Sequence, residues 1–332
     1  MKKLLVVFLT VVLAFSLIAC SAGSPAATES TKASGDLIKV GFAQCKADES
    51  DWRKANTKSV QEALSKENGF DLTLADSNND AAKQVADVQG FIDAEVDYIV
   101  IAAVNVDGWD TVLKSAKDAG IPVILMDRTI NASEDLYICW VGGGFYNEGV
   151  KATDWIAKRF TDNSKEVGIV NLQGQLGTSA QVGRSAALDD ALKANSKWKL
   201  VARQTGEWST DTAKEIMTSW IQQYGDEINV VYAENDNMAD GAIQALEEAG
   251  KKVGGDDGVA IISFDANRAY LQMTLEGKIN CDVECNPLLG PKVAEILKLI
   301  EGGGTPEKKE SIDETAFYYD TITQDVIDAR PY

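Results

Sequence analysis

The chain has 332 residues, of which 45% are hydrophobic and 25% are charged, the composition of a folded globular protein and not of a disordered or fibrous one. At this length two domains of about 150 residues are expected. The net charge of -19 argues against nucleic acid as a partner, because affinity for phosphate backbones comes from clustered Lys and Arg. The absence of histidine removes the commonest general base and zinc ligand, so we predict neither a metal site nor a cofactor.

The first residues have the pattern of an export signal. Lys2 and Lys3 precede an apolar run that ends at Ala19, before Cys20. A transmembrane anchor, which needs about 20 apolar residues, is the weaker alternative, since the run stops short of that length.

The end of this run resembles a bacterial lipobox, which implies cleavage after residues 1–19 and attachment of a diacylglyceryl group to the sulfur of Cys20. Two acyl chains hold a protein on a membrane. Residues 20–36 are rich in Ser, Ala, Gly and Thr and predict the lipid anchor and a flexible linker. The predicted location is the outer face of the cell membrane.

Four further cysteines, Cys45, Cys139, Cys281 and Cys285, form no CxxC pair. Their disulfide state stays open, although a pair such as Cys45 with Cys285 can form in an oxidising compartment.

From Leu37 onward, short apolar runs alternate with amphipathic segments. Runs such as Ile38 to Ala43 and Val123 to Met126 predict buried strands, while the spacing of Val85, Val88 and Ile92 predicts a helix. The same alternation resumes after Val167. We therefore predict an α/β fold of two doubly wound lobes, each with a parallel sheet.

The two halves also share an order of parts: a strand, an Asn, a helix that ends at Ala-Gly, and a strand that ends at Asp. In the first half the marker residues are Asn105, Gly120 and Asp127, and in the second they are Asn235, Gly250 and Asp265. This order predicts a structural repeat, although chance can match two α/β units. Ligands bind beyond the carboxyl ends of strands in such sheets, so Asp127 and Asp265 are expected to line one cleft.

Several motifs in this order resemble a known family. They are Val40-Gly41-Phe42, Asp51-Trp52-Arg53, Leu125-Met126-Asp127-Arg128, Leu172-Gln173-Gly174 with Gly177-Thr178-Ser179-Ala180 and Arg184, Tyr232-Ala233-Glu234-Asn235-Asp236, Phe264-Asp265, and Val283-Glu284 with Asn286-Pro287. The chain from about Ile38 onward resembles the type I periplasmic binding proteins of sugar ABC importers, and within them the galactofuranose-binding branch.

The resemblance implies a fold in which a hinge of crossing strands joins the lobes. The N-terminal lobe would comprise residues 37–141 and 286–314, and the C-terminal lobe residues 142–285 and 315–332. It also implies that a monomer binds a monosaccharide in the cleft and passes it to the permease subunits of an ABC transporter. Closure about the hinge is what a permease would recognise.

A dry sugar site needs both donors and acceptors, because each unpaired polar group costs about 1 to 3 kcal/mol. Asp127 and Arg128 can supply both, and as neighbouring opposite charges they limit the cost of each other's burial. Trp52 and Trp208 are expected to sandwich the sugar ring from the two lobes. The full set of predicted ligand-binding residues is Gln44, Trp52, Arg53, Asp76, Asp127, Arg128, Arg184, Trp208, Asn235, Asp265 and Glu284.

Each of these residues also has a structural alternative. Asp127 and Arg128 can form a surface salt bridge, Arg184 can be solvated on its helix, and the two tryptophans can be plain core residues. Asn235 can be a helix N-cap, unless Asp236 is the cap.

Two other functions remain as alternatives to transport. A receptor that feeds a membrane sensor kinase would have the same fold and cleft. A glycoside hydrolase could use two carboxylates, such as Glu207 and Glu284, at the required separation. Because the resemblance is to binding proteins, we predict that the chain is not an enzyme.

Overall fold

A computed structural model of the chain describes residues 36–162 and 164–332. The predicted signal peptide, the lipid attachment site Cys20 and the linker up to residue 35 lie outside the described residues. None of the described helices combines the length and the apolar character that crossing a membrane requires.

Strands and helices alternate along the described residues. The strands are β1 (Ile38–Gln44), β2 (Phe70–Asp76), β3 (Tyr98–Ile101), β4 (Val123–Met126), β5 (Cys139–Gly142), β6 (Val167–Gln173), β7 (Trp198–Thr205), β8 (Val230–Ala233), β9 (Ala260–Asp265), β10 (Cys281–Glu284), β11 (Lys309–Ser311) and β12 (Ala316–Tyr318). The α-helices are α1 (Asp51–Ala63), α2 (Ala81–Asp93), α3 (Asp110–Asp118), α4 (Phe145–Arg159), α5 (Ser179–Ala194), α6 (Thr210–Tyr224), α7 (Asp236–Glu248), α8 (Arg268–Leu275), α9 (Gly290–Glu301) and α10 (Gln324–Ala329). Short 3₁₀ turns lie at Lys66–Asn68, Glu134–Leu136 and Gly225–Glu227.

Local residues set the ends of several helices. The side chains of Ser50, Thr178 and Asn235 each accept a hydrogen bond from a main-chain N–H in the first turn of the helix that follows. Gly120 and Gly250 follow α3 and α7 with φ angles of 73° and 67°, where a residue with a side chain would be strained. The predicted helix ends at these two glycines are therefore confirmed.

The strands form two six-stranded sheets with the same topology. Their orders are β11-β5-β4-β3-β1-β2 and β12-β10-β9-β8-β6-β7. Every neighbouring pair is parallel except β12 with β10. The matching orders confirm the predicted repeat. The halves differ in the direction of the edge strand, and also in one helix start: α7 starts directly after Asn235, whereas α3 starts only at Asp110, so Asn105 is not a helix cap.

Each sheet is buried on both faces. In the first sheet Val100 packs in a cluster with Val60 and Leu297, while its neighbour Ile101 packs with Leu113 on the other face. The second sheet likewise has one hydrophobic cluster on each face. We call the first sheet with α1, α2, α3 and α9 the N-terminal lobe, and the second sheet with the remaining helices the C-terminal lobe. This arrangement is the predicted doubly wound α/β fold.

Three crossing segments, residues 143–144, 285–289 and 312–315, connect the sheets. The lobes also touch at other points. The main-chain N–H of Thr129 donates to Ser179 Oγ at 2.9 Å, and Asp51 Oδ2 accepts from Asn237 and Tyr270 at 3.1 and 3.2 Å. These contacts close the edges of a space between the carboxyl ends of the two sets of strands.

Candidate functional site

A cavity lies between the lobes, at the carboxyl ends of the parallel strands. The space between its lining atoms, including the part that is open to solvent, is about 310 Å³. Eight of the eleven predicted binding residues line it: Trp52, Arg53, Asp127, Arg128, Arg184, Trp208, Asn235 and Asp265. The structure thus brings most of the predicted residues together, and their contact with a ligand stays a prediction.

Asp127 and Asp265 both have a backbone conformation that is rare for a residue with a side chain. Their φ angles are 62° and 107°, and such conformations cost on the order of 1 to 3 kcal/mol each. Around Asp127, its N–H donates to the carbonyl of Val141 at 2.7 Å, and Trp140 Nε1 donates to its carbonyl at 2.9 Å. The same strain at equivalent strand ends indicates that it directs both carboxyl groups into the cleft.

The N-terminal wall of the cavity is a buried network of four charged side chains. Arg53 Nη2 lies 2.5 Å from Asp127 Oδ2, and Arg128 Nη2 lies 2.5 Å from Glu49 Oε1. Arg53 Nε also lies 3.2 Å from Glu49. Burial acts to raise the pKa of Glu49, but the charges of Arg128 and Arg53 outweigh it and lower that pKa. The network is therefore charge-balanced without a ligand.

Asp127 and its neighbour Arg128 form an ion pair, as expected, but the pair is long and each residue has a closer partner. Arg128 Nε is 3.9 Å from Asp127 Oδ2, and the Arg128 guanidinium instead donates to Glu49 and, at 3.3 Å, to the carbonyl of Ala103. Consecutive side chains leave the end of a strand in different directions, so the partner of Asp127 comes from α1. The surface salt bridge is also excluded, because Asp127 and Arg128 are only 4% and 3% exposed.

The C-terminal wall is organised by Arg184, which is 2% exposed and so not solvated on its helix. Its Nε and Nη2 lie 2.8 and 2.7 Å from Glu148 Oε2, and Nη2 lies 3.5 Å from Asp265 Oδ1. The Phe264 ring packs 4.7 Å from the guanidinium carbon. Burial raises the pKa of Asp265, and the charge of Arg184 only partly opposes this effect.

The two predicted tryptophans both face the cavity but differ in their polar contacts. Trp52 Nε1 donates to the carbonyl of Cys285 at 2.6 Å. Trp208 Nε1 is buried and has no hydrogen-bond partner among the described residues. Since an unpaired buried donor costs about 1 to 3 kcal/mol, Trp208 is suited to donate to an incoming oxygen. Both tryptophans also belong to a hydrophobic core cluster, so each of them packs in the core and also lines the cavity.

Asn235 likewise has a structural contact and a cavity position. Its Oδ1 accepts from the N–H of Met238 at 2.9 Å, which makes it the N-cap of α7, and its Nδ2 donates to the carbonyl of Trp208 at 3.3 Å. Asp236 is not the cap, because its carboxylate accepts from Ser263 and Asn267.

Gln44, Asp76 and Glu284 do not reach the cavity. The Gln44 amide is buried behind α1, where it donates to Thr57 at 3.0 Å. Asp76 is exposed at the end of β2 and accepts from the N–H of Asn78. Glu284 accepts from the N–H of Thr315 and from Arg330 at the hinge. All three follow or end strands as expected, but their side chains point away from the cleft.

Sequence reasoning missed five residues of the wall: Glu49, Ser50, Phe145, Ala180 and Cys285. The N-cap position of Ser50, next to the predicted Trp52, was a usable signal for this loop. Glu148, which lies behind the wall, had no such signal in the sequence, because it is one ordinary acidic residue in an amphipathic helix.

Each of the three arginines at the wall has a carboxyl partner: Arg53 pairs with Asp127, Arg128 with Glu49, and Arg184 with Glu148. The raised pKa of Asp265 favours its protonated, neutral form. Adjacent donors and acceptors without net charge suit a neutral molecule with several hydroxyl groups. Glu207, which is exposed, and Glu284 do not line the cavity, so the two carboxylates considered for hydrolysis do not share a site.

The four described cysteines, Cys45, Cys139, Cys281 and Cys285, are all buried and free. The pairing of Cys45 with Cys285 is therefore absent from the described part of the chain.

Known proteins resemble this chain along most of its length. The galactofuranose-binding protein YtfQ of Escherichia coli (strain K12) is 35% identical over 293 residues, which cover 87% of this chain and 90% of that protein. A crystal structure from Mycobacterium smegmatis in complex with β-D-fucofuranose is 37% identical, with a TM-score of 0.81 over 86% of this chain and 92% of that one.

A third similar protein is the periplasmic binding protein component of the arabinose ABC transporter from Shewanella sp. ANA-3, bound to α- and β-L-arabinofuranose. It is 33% identical, with a TM-score of 0.81 over 88% of this chain and 95% of that one. The Escherichia coli and Shewanella proteins are described as binding proteins, in agreement with the prediction that this chain is not an enzyme.

The model of the family described as "Periplasmic binding protein domain" matches residues 40–325, nearly all of the described chain. Together with the two-lobed fold and the cavity between the lobes, this match shows that the chain belongs to the periplasmic binding protein family.

Proposed function

We propose that this protein binds a monosaccharide in its furanose form, galactofuranose or a related aldose, and delivers it to the permease of an ABC importer. Three similar proteins support the ring form, because their names describe galactofuranose, fucofuranose and arabinofuranose as ligands. In this proposal the protein acts as a monomer, and its two lobes close around the sugar at the hinge.

The observation that carries the proposal is the composition of the cavity wall. Buried Arg and Asp side chains from both lobes meet there, each arginine is paired with a carboxyl group, and the Trp208 N–H has no partner among the described residues. A sugar hydroxyl both donates and accepts, so it can satisfy such a wall where water is excluded. Asp127 and Arg53 would hold the sugar from one lobe, and Asp265 and Arg184 from the other.

A calorimetric screen of pentoses and hexoses that includes galactofuranose tests the proposal. We expect saturable binding of at least one sugar and a rise in its melting temperature, since a ligand that binds the folded state stabilises it. Carbon-13 NMR of the bound sugar would identify the ring form. If none of the sugars binds or shifts the melting temperature, the proposed function is wrong.

We also propose that the mature protein begins at Cys20 and is held on the outer face of the cell membrane by lipid. The Lys2-Lys3 start, the short apolar run and the Cys at its end support this location. The same cavity would serve a receptor that feeds a sensor kinase. Sugar uptake by cells that lack this protein separates the two roles, because loss of uptake supports transport and unchanged uptake contradicts it.

A further inference from the structure

Two carboxyl groups meet where the three crossing segments come together. Glu148, in the first turn of α4, is fully buried, and one of its carboxyl oxygens lies within 4.8 Å of a carboxyl oxygen of Glu314 in the third segment. A Cβ added to Gly143 in the first segment would lie 2.2 Å from the Glu314 carboxylate oxygens. The N–H of Asn286 in the second segment donates to Glu314 Oε1 at 3.0 Å. The Glu314 carboxyl therefore touches every crossing segment.

A hydrogen bond between two carboxyl groups requires a proton, because ionised carboxylates only accept. Glu148 Oε2 accepts from Arg184, but Glu148 Oε1 has no donor among the described residues unless Glu314 supplies one. A proton on Glu314 would supply that donor and would remove the repulsion between two carboxylates this close together.

The surroundings favour a proton here over a bound cation. The charged or titratable groups around the pair are Lys151 on α4, Arg184 on α5, Tyr232 on β8, Asp265 at the end of β9 and Cys285 after β10. Arg184 already neutralises one carboxylate, and Lys151 Nζ is bound to the main-chain carbonyl of Glu314. Burial, followed by the charge of Glu148, raises the pKa of the Cys285 thiol, so this sulfur stays protonated.

We propose that closure of the lobes on a sugar takes up a proton at the Glu148–Glu314 pair, so that sugar affinity depends on pH. This inference rests on the proposed sugar-binding function. The pair lies at the hinge, and a rotation that separates the crossing segments would admit more water to the Glu314 carboxyl, which is partly buried in this conformation. Closure would then exclude that water and restore the shared proton.

The direction of the pH dependence follows from the burial of the pair. Burial and the charge of Glu148 raise the pKa of Glu314 to about 9 in the closed conformation, whereas a hydrated Glu has a pKa of about 4.3. Between these limits the closed form binds more protons than an open form in which water reaches the carboxyl. The dissociation constant for the sugar should therefore rise with pH, by up to about tenfold per pH unit.

Calorimetric titration of galactofuranose across this pH range tests the inference. The key variant is Glu314→Gln, because its amide can donate to Glu148 and accept from the Asn286 N–H without ionising. The matched control is Asp313→Asn, an exposed neighbour with the same change from carboxyl to amide. We expect the pH dependence to persist in the wild type and the control and to flatten in Glu314→Gln. Titration in buffers of different ionisation enthalpy should show proton uptake in the wild type and in the control, but not in Glu314→Gln.

The outcomes separate the two claims. If galactofuranose does not bind at any pH, the proposed galactofuranose site is wrong, and proton-linked closure falls with it. If it binds with equal pH dependence in the wild type and Glu314→Gln, only the proton link is wrong. Loss of the dependence on adding EDTA would assign the pair to a bound cation and would also overturn it. Circular dichroism establishes beforehand that both variants are folded.

Discussion

Replacing Gly174 by Ala tests whether the position of the Trp208 ring sets the affinity for sugar. A Cβ at residue 174 would lie 1.9 to 2.3 Å from three carbons of the indole. Carbon atoms pack at about 3.5 Å or more, so the ring or the backbone has to move by roughly 1.5 Å. Since Trp208 lines the cavity, we expect sugar affinity to fall at least tenfold, about 1.4 kcal/mol. The overpacking should also destabilise the fold by about 1 to 3 kcal/mol.

Calorimetry measures the affinity, and near-ultraviolet circular dichroism reports whether the indole has moved. The matched control is Gly90→Ala in α2, where an added Cβ meets no atom of the described residues within 4 Å. This control should bind sugar as the wild type does and be more stable by about 0.5 to 1 kcal/mol, because Ala favours a helix over Gly. If Gly174→Ala moves the indole but leaves the affinity unchanged, Trp208 is not part of the sugar site.

Three further predictions address the charges and the anchor. Asp127→Ala and Asp265→Ala should each weaken sugar binding more than tenfold with an intact fold by circular dichroism; near-normal affinity in both would contradict the assignment of the cleft. Burial, followed by the charge of Asp236, raises the pKa of Asp282. The folded state therefore keeps a proton on this carboxyl that the unfolded chain releases, and the stability of the fold decreases as the pH rises. The Asp282→Asn variant cannot ionise at this position, so its melting temperature should exceed that of the wild type in alkaline buffer, and the two melting temperatures should lie closer together in acid. An equal difference in melting temperature at both pH values would refute this explanation. Cys20→Ser should abolish incorporation of labelled fatty acid and release the protein from the membrane fraction, whereas continued labelling would place the lipid elsewhere.

Much of the fold could be predicted from local patterns. Apolar runs marked the strands, and the two helices that end at Ala-Gly revealed the repeat, because buried strands and glycine C-caps leave short-range signals in the sequence. The family resemblance then supplied most of the cavity wall. Its limits are visible at Asp76 and Glu284, whose positions near strand ends were correct while their side chains point away from the cavity.

The sequence by itself determined which strands carry Asp127 and Asp265 to their carboxyl ends, and it excluded histidine chemistry. Only the tertiary structure decided which charges meet. Arg53 reaches Asp127 across 74 positions of the chain, and Glu314 lies beside Glu148 although it belongs to a crossing segment much later in the chain. Periodicity describes how a segment folds and which face it buries, but the pairing of buried charges depends on how distant segments pack. The proposed proton at the hinge is a consequence of that packing.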